Sequence, residues 1–497
     1  LTVDALLRLP PAARYGIDTA PPLAIFWKRR FCAWRRRMSS QTISSEPPNG
    51  INAWRHHIHS TIGLGIPFVG AQLAQMAINT TDVIMVGWLG TVELAAVVLG
   101  SQAFFIVFIF GSGFAAAVVP MVAHAVGQGD VTSVRRAVRM GIWVVLAYGL
   151  LTFPILFFSK PILMLLGQEE QVATLAQDYL RVAQWGIFPA LALMVLRSFL
   201  SGLERGSIIL YVTIGMFLAN ALLNYALIFG NFGAPAWGLV GAAVASVCAS
   251  TIGCVAMIIY IESRAQTRIY ELFVRFWRAD WGAIRENLVL GLPISFTILA
   301  ETSLFAAASL MIGTIGTREL AAHGIALQLA SIAFMIPLGL AQVATVRVGL
   351  AYGRGDMQGV RRAAVAVLMV SLVFSICGST LFALLPRVLG GLFLDTTRED
   401  AQAVLDYAAT LIVIAGVFQL ADGLQAVGAG LLRGLKDTTI PMVLALIAYW
   451  PIGFACAWIF AFPLGYGGPG VWFGFVTGLA AAAAMLCGRF YLLVRSK

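Results

Sequence analysis

The chain has 497 residues, 60% of them hydrophobic and only 11% charged, with a formal net charge of +10 and a mean hydropathy of +0.87. A typical soluble domain is about 25% charged, so a soluble fold would need an oversized core with too few charges to cover it, and a polytopic all-α membrane protein remains. The basic excess is then a topology signal carried by loops, and nucleic acid is not an expected partner.

The first residues read as an N-terminal cytoplasmic tail over 1–59. Met38 follows "RRR" and precedes the polar "SSQTISSEPPNG", so residues 1–37 are expected not to be native and Met38 to be the start. The arginines come after the short apolar "APPLAIF", the wrong order for a secretory signal. His56, His57 and His59 in "RHHIHS" lack a partner acid at ligand spacing and read as an interfacial face, not a metal site. Of the six cysteines, Cys32, Cys248, Cys254, Cys377, Cys456 and Cys487, all but Cys32 lie in apolar runs and none forms a C-x-x-C pair. They are expected to be small buried hydrophobes.

Apolar stretches of spanning length, about 20 residues, begin near residues 61, 95, 137, 173, 207 and 237, and again near 287, 320, 362, 402, 438 and 467. That predicts twelve transmembrane helices in two six-helix bundles, 60–261 and 287–497, joined by a charged, aromatic linker over 262–286 that lies on the membrane surface. The halves repeat each other. "GQGDVTSVRRA" at Gly127 returns as "GRGDMQGVRRA" at Gly353, and 353 − 127 = 226. The same shift carries "GTVELAA" at Gly90 onto "GTRELAA" at Gly316, and Gly65-Ile66-Pro67 onto Gly291-Leu292-Pro293. Equivalent phrases lie six spans apart, an even number, so this is a pseudo-symmetric parallel repeat. In each repeated phrase the glycines suit a tight reversal, the Asp a helix cap and the Arg pair the headgroup level.

Every second loop is basic: Arg135, Arg136 and Arg139; Arg197 and Arg205; Arg264, Arg268, Arg275, Arg278 and Arg285; Arg354, Arg361 and Arg362; Arg433 and Lys436; Arg495 and Lys497. Loops such as "NFGAPAW", "FPLGYGGPG" and "FLDTTRED" alternate with them and are neutral or acidic. The basic loops and both termini should therefore be cytoplasmic.

An ionisable side chain in a span costs roughly 2.5–3.5 kcal/mol on insertion scales, so each needs a reason. Asp82 lies late in the first span, Glu301 near the middle of the seventh and Asp422 well within the tenth, flanked by Gln419 and Gln425. Asn220 and Asn224 make a polar stripe one turn apart on the fifth. The repeat pairs Glu301 with Gln75 and Asp82 with Ala308, so charge symmetry is lost while backbone symmetry is kept. Positions 301 and 308 are seven apart on one helix face, so each acid can point into its own bundle. Such carboxylates can exchange protons, bind a hard monovalent cation, or hold a lipophilic organic cation among aromatics such as Phe296, Phe305 and Phe418. Competition of these occupants for one charge is the simplest antiport mechanism.

"TTDVIMVGWLG", "LLNYALIFGNFGAPAWGLVGAA", "GLPISFTILAETSLF" and "FQLADGLQAVGAGLLRGLKDT" together resemble the multidrug and toxic compound extrusion (MATE) family, within it the NorM-like branch, from about residue 60 to the end. The resemblance implies two bundles forming a V around a cleft, and cation-coupled export of organic cations and drugs such as fluoroquinolones. It implies cation coupling at Asp82, Glu301 and Asp422, with Glu301 and Asp422 as the metal ligands if the ion is sodium. The expected substrate contacts are Asn220, Asn224, Gln75, Phe296, Phe305, Phe418 and Gln419. Some sodium-coupled members have a tyrosine where Phe418 stands, and losing that oxygen weakens the case for sodium without establishing protons.

The expected protein is thus a monomeric antiporter of small-molecule organic cations or drugs in the lipid bilayer of a bacterial inner membrane, working by alternating access, with Na+ or H+ as its coupling ion and no other cofactor. Pro67 and Pro293 are its candidates for helix bending. The alternative is a lipid-linked oligosaccharide flippase of related architecture, which would favour a strongly basic cavity. No GxxxxGK[ST] loop supports ATP-driven transport, and no constellation supports an enzyme.

Overall fold

The computed structural model describes residues 51–88, 91–233, 235–394 and 401–496. Residues 1–37, Met38, Cys32 and most of the "FLDTTRED" loop lie outside the described residues. Among the described residues, twelve helices are long and apolar enough to cross a membrane: α1 His57–Gly87, α2 Ala95–Gln128, α3 Val131–Phe157, α4 Glu170–Gly202, α5 Gly206–Phe229, α6 Gly238–Ser263, α7 Trp281–Gly313, α8 Thr317–Gly353, α9 Met357–Leu384, α10 Ala401–Gly434, α11 Thr439–Ala461 and α12 Gly467–Arg495. The protein is a multi-pass, all-α membrane protein.

Several helices start before their apolar stretch because polar caps extend them. Asp130 Oδ1 accepts hydrogen bonds from the Thr132 and Ser133 amides at 2.9 and 3.1 Å, so α3 begins at Val131, well before the apolar run near residue 137. Asp356 caps α9 in the same way, accepting from the Gly359 amide at 2.7 Å. Arg197 and Arg433, expected in basic loops, instead lie inside α4 and α10. A basic residue does not end a helix, and these two continue to Gly202 and Gly434.

The repeated phrase now has a physical account, position by position. Gly129 and Gly355 sit at φ +73° and +74°, the left-handed region that glycine enters without strain. Gly127 and Gly353 touch each other: a Cβ on Gly127 would lie 3.0 Å from the Gly353 Cα. The arginines, expected at headgroup level, grip backbone. Arg135 Nε donates to the Tyr270 carbonyl at 2.8 Å and Arg139 Nη1 to the Arg275 carbonyl at 3.1 Å, while Arg136 pairs with Asp280. In the second copy Arg361 Nη2 donates to the Val494 carbonyl at 2.8 Å. One copy braces the segment between the halves and the other braces the end of α12.

The two halves share a core at one end and separate at the other. Val122, Val138, Leu290, Val343 and Leu431, from both halves, belong to one apolar core near the turns that follow α2 and α8. Beyond it the first half has its own cluster around Val86, Val97 and Leu239, and the second has one around Leu304, Phe418 and Trp472. The seam runs from Gly127 and Gly353 through Asn287, whose Nδ2 donates to the Phe114 carbonyl at 3.0 Å, and Ser295, whose Oγ donates to the Phe110 carbonyl at 2.6 Å. It reaches the Phe110–Phe296 ring pair, 5.4 Å apart and edge to face. Arg347 of α8 adds bonds to the start of α1, donating to the His57 carbonyl and Nδ1, each at 2.7 Å, and to Thr61 Oγ1.

The caps make one stability prediction. Hydrogen bonds, first from the Ser133 side chain, hold the Asp130 carboxyl below the usual carboxylate range. Its stabilisation is therefore complete above the unfolded-state value and lost as pH falls through the lowered folded one. Asp130→Ala is expected to destabilise the protein by about 1 kcal/mol at neutral pH. Thermal unfolding followed by tryptophan fluorescence should show the gap to wild type closing in acid; a gap independent of pH would contradict the charged-cap account.

Candidate functional site

In the first half, Asp82 of α1 meets α5 and α6. Its Oδ1 accepts from Asn224 Nδ2 at 2.5 Å and its Oδ2 from Ser246 Oγ at 3.2 Å. Asn224 Nδ2 also reaches Asn220 Oδ1 at 3.3 Å, since a four-residue spacing stacks the two amides on one helix face. Both asparagines are fully buried, and among the described residues Asn224 Oδ1 has no hydrogen-bond partner. Tyr179 of α4 lies within electrostatic reach of Asp82. Gln75 stands two turns before Asp82 and accepts from Arg197 Nη1 at 3.3 Å.

In the second half, Glu301 of α7 lies within electrostatic reach of Asp422 and of Arg433 of α10, and Tyr449 of α11 within reach of all three. Residues 422 and 433 are eleven apart, three turns along one face. Tyr449 falls in a π-helical stretch, Ala448–Phe454, that contains Pro451. A proline cannot donate to the helical ladder, and the wider turn accommodates it. There the Tyr449 Oη accepts from Gln425 Nε2 at 2.5 Å. Asp422 Oδ1, Gln419 Nε2 and Gln425 Oε1 are buried and have no hydrogen-bond partner among the described residues. Gly378 makes room for Gln419: a Cβ there would lie 2.9 Å from Gln419 Oε1.

The three aromatics expected around the acids divide. Phe305 and Phe418 join Phe475 and Trp472 in an edge-to-face cluster, with Phe305 5.2 Å from Phe475 and Phe418 5.5 Å from Trp472. Phe296 stands apart on the seam against Phe110. Sequence reasoning missed Ser246, Tyr179, Arg433 and Tyr449. Tyr449 is hidden in the apolar "LIAYWPIGF", and Arg433 read as a loop residue. Among the described residues no cluster of three or more His, Cys, Asp or Glu residues forms a metal site. The oxygen-rich, incompletely bonded pockets could instead take a proton or a single hard cation.

Twelve spans in two repeated halves, with an acid pocket in each, define a membrane transporter of the parallel-repeat type. The MatE family model matches residues 67–226 and 293–459, and its two starts differ by the repeat interval, 293 − 67 = 226. The chain belongs to that family, in its NorM-like branch. It is 64% identical over 444 residues to the probable multidrug resistance protein NorM of Rhizobium meliloti (strain 1021), covering 89% of this chain and 95% of that one. It is 57% identical over 458 residues to the protein of the same name from Agrobacterium fabrum (strain C58), covering 92% and 98%. In fold it is similar to a crystal structure of MATE in complex with MaL6, with a TM-score of 0.80 and 20% identity over 88% of this chain and 97% of that one.

Proposed function

We propose that the protein exports organic cations and drugs across a bacterial inner membrane in exchange for Na+ or H+. One observation carries this reading: each half encloses a carboxylate site whose polar atoms are only partly bonded within the protein. The relatives' names, which speak of multidrug resistance, support the substrate class. Expelling a monovalent cation against 100 mV is uphill by about 2.3 kcal/mol, so export needs coupling. Sites that hold either coupling ion or drug supply it. The halves, 60–261 and 287–497, would rock about the seam, with both termini cytoplasmic and the monomer as the working unit. Phe418 lacks the oxygen some sodium-coupled members offer, while Tyr449 brings a phenol oxygen from α11 to the same acids. Either sodium or the proton is the coupling ion in this reading, and the gradient that restores efflux names it. A flippase for a pyrophosphate-linked lipid fits acid-bearing pockets poorly.

The test is efflux of a fluorescent organic cation from pump-deficient, inside-negative cells, with sodium and proton gradients imposed separately. Efflux is expected to stop when both gradients are abolished, and the gradient that alone restores it names the ion. Undiminished efflux with neither gradient would rule the antiport reading out.

A further inference from the structure

We infer that the coupling ion leaves the second-half acids through a narrow cleft inside that half, with Arg433 as the cation that plugs the cleft and Asp437 as the carboxylate that receives the ion beyond the plug. The inference rests on the transport reading above and assigns an ion path to its second-half site.

The cleft is lined by Ile294 and Thr297 of α7, Ala429 and Arg433 of α10, and Asp437 and Thr438 just beyond α10, with α11 and α12 closing it. Thr297 stands one turn before Glu301 and Ile294 two turns before it, on one face of α7. Ala429 stands two turns after Asp422 and Arg433 three, on one face of α10. The cleft therefore continues the acid site toward the turn between α10 and α11, the cytoplasmic side in the transport reading. It has room for about one water molecule, enough for a proton or a small cation and far too little for a drug. Thr297 Oγ1 donates to the Pro293 carbonyl at 2.8 Å, which leaves its lone pairs to a passing cation. Every wall belongs to the second half, so closure of the seam between the halves does not shut this path.

A path that stood open at all times would let the ion run down its gradient without drug. Arg433 prevents this. It lines the cleft and lies within electrostatic reach of Glu301, so a cation leaving the acids must pass the guanidinium. Away from bulk water that repulsion is weakly screened. An empty Glu301 draws Arg433 across the path, whereas an ion on Glu301 cancels that attraction and frees the side chain to swing aside. Asp437 is brought to the cleft by the way α10 ends. The Lys436 and Asp437 amides donate to the Arg433 and Leu432 carbonyls at 2.9 and 3.0 Å, the crossed pair of a Schellman turn. Lys436 takes its left-handed position at φ +60°, where glycine is usual. Asp437 Oδ2 accepts from Arg489 Nε at 2.7 Å, and with the two side chains 18% and 28% exposed the carboxylate keeps contact with solvent. Lys436, the other cation of the turn, is paired with Glu286 at 2.7 Å.

The experiment is ion entry into proteoliposomes of the full-length protein with no drug present, protons followed by a trapped pH dye and sodium by a radioactive tracer. Wild type should be tight. Arg433→Gln should leak the coupling ion roughly 10- to 100-fold faster, the range expected for the loss of one charge-assisted interaction, and Arg433→Lys should stay tight. Adding Asp437→Asn to Arg433→Gln should cut the leak at least about tenfold. A reconstituted Arg433→Gln that is as tight as wild type overturns the plug, and a leak that Asp437→Asn leaves unchanged overturns the path. If Arg433→Gln does not reconstitute, Asp437→Asn alone decides. Ion flux driven by a drug gradient should slow at least about tenfold, while Arg489→Gln, which breaks the same ion pair but keeps the carboxylate, should retain most of it. Undiminished flux in Asp437→Asn, or an equal loss in Arg489→Gln, overturns the role of Asp437. Failure of the transport reading would show separately, as a wild type in which a drug gradient drives neither proton nor sodium flux.

Discussion

Replacing either second-half carboxylate by its amide, Glu301→Gln or Asp422→Asn, should lower energised drug export roughly 100-fold, while the variant still inserts and folds. The magnitude follows from charge-assisted contacts of about 1.5–3 kcal/mol each, with 1.4 kcal/mol per tenfold. The folding expectation follows from the bonding. Among the described residues Asp422 Oδ1 has no hydrogen-bond partner, so the amide removes no hydrogen bond at that oxygen, and removing one of two neighbouring like charges relieves repulsion. Asp82→Asn differs, since both Asp82 oxygens accept hydrogen bonds; it should lose thermal stability as well as export. Efflux rates normalised to membrane-inserted protein, with melting curves of the same preparations, separate the cases. Wild-type export by Glu301→Gln and Asp422→Asn together would make these acids structural and end the coupling mechanism.

How much of this could be read beforehand follows from which interactions are local. The Gly129 and Gly355 turns and the Asp130 and Asp356 caps are written within a few residues, so the repeated phrase announced them. The Asn220–Asn224 stripe is set by helical spacing, and its meeting with Asp82 completes a pocket that the polar positions already suggested. Glu301 and Asp422 stood out singly because acids are rare in apolar runs. Their meeting with Arg433 and Tyr449 did not, because it depends on how α7, α10 and α11 pack and on a π-helical stretch at Pro451 that no periodicity announces. Arg197 was misplaced for a related reason. Positive charge near the end of an apolar run marks a loop in most spans, and only the path of α4 toward Gln75 distinguishes a buried arginine from a cytoplasmic one.

Widening the seam should arrest transport by a different route. Gly353 and Gly127 let α8 and α2 approach to backbone contact, and a Cβ on Gly353 would run into the His124 carbonyl oxygen and lie 3.1 Å from the Gly127 Cα. Gly353→Leu therefore cannot be accommodated by side-chain adjustment alone. Overpacking of this kind typically costs about 1–3 kcal/mol, enough to shift a two-state equilibrium by roughly 5- to 150-fold. The closed seam is the state that bears the clash, so the population should move toward an open one. Ala123, fully buried and facing Gly349 across the seam, is a suitable reporter once the native cysteines are replaced. Ala123→Cys should resist a membrane-impermeant maleimide in the parent and react at least about tenfold faster beside Gly353→Leu, with drug export lost in parallel. Gly355→Ala is the control. It strains a turn at φ +74° but has open space where its Cβ would go, so it should weaken the turn and leave the reporter protected. If Gly353→Leu leaves Ala123→Cys as protected as the parent, the seam yields elsewhere and does not act as the gate. If Gly355→Ala exposes it equally, the turn rather than the glycine contact holds the halves together.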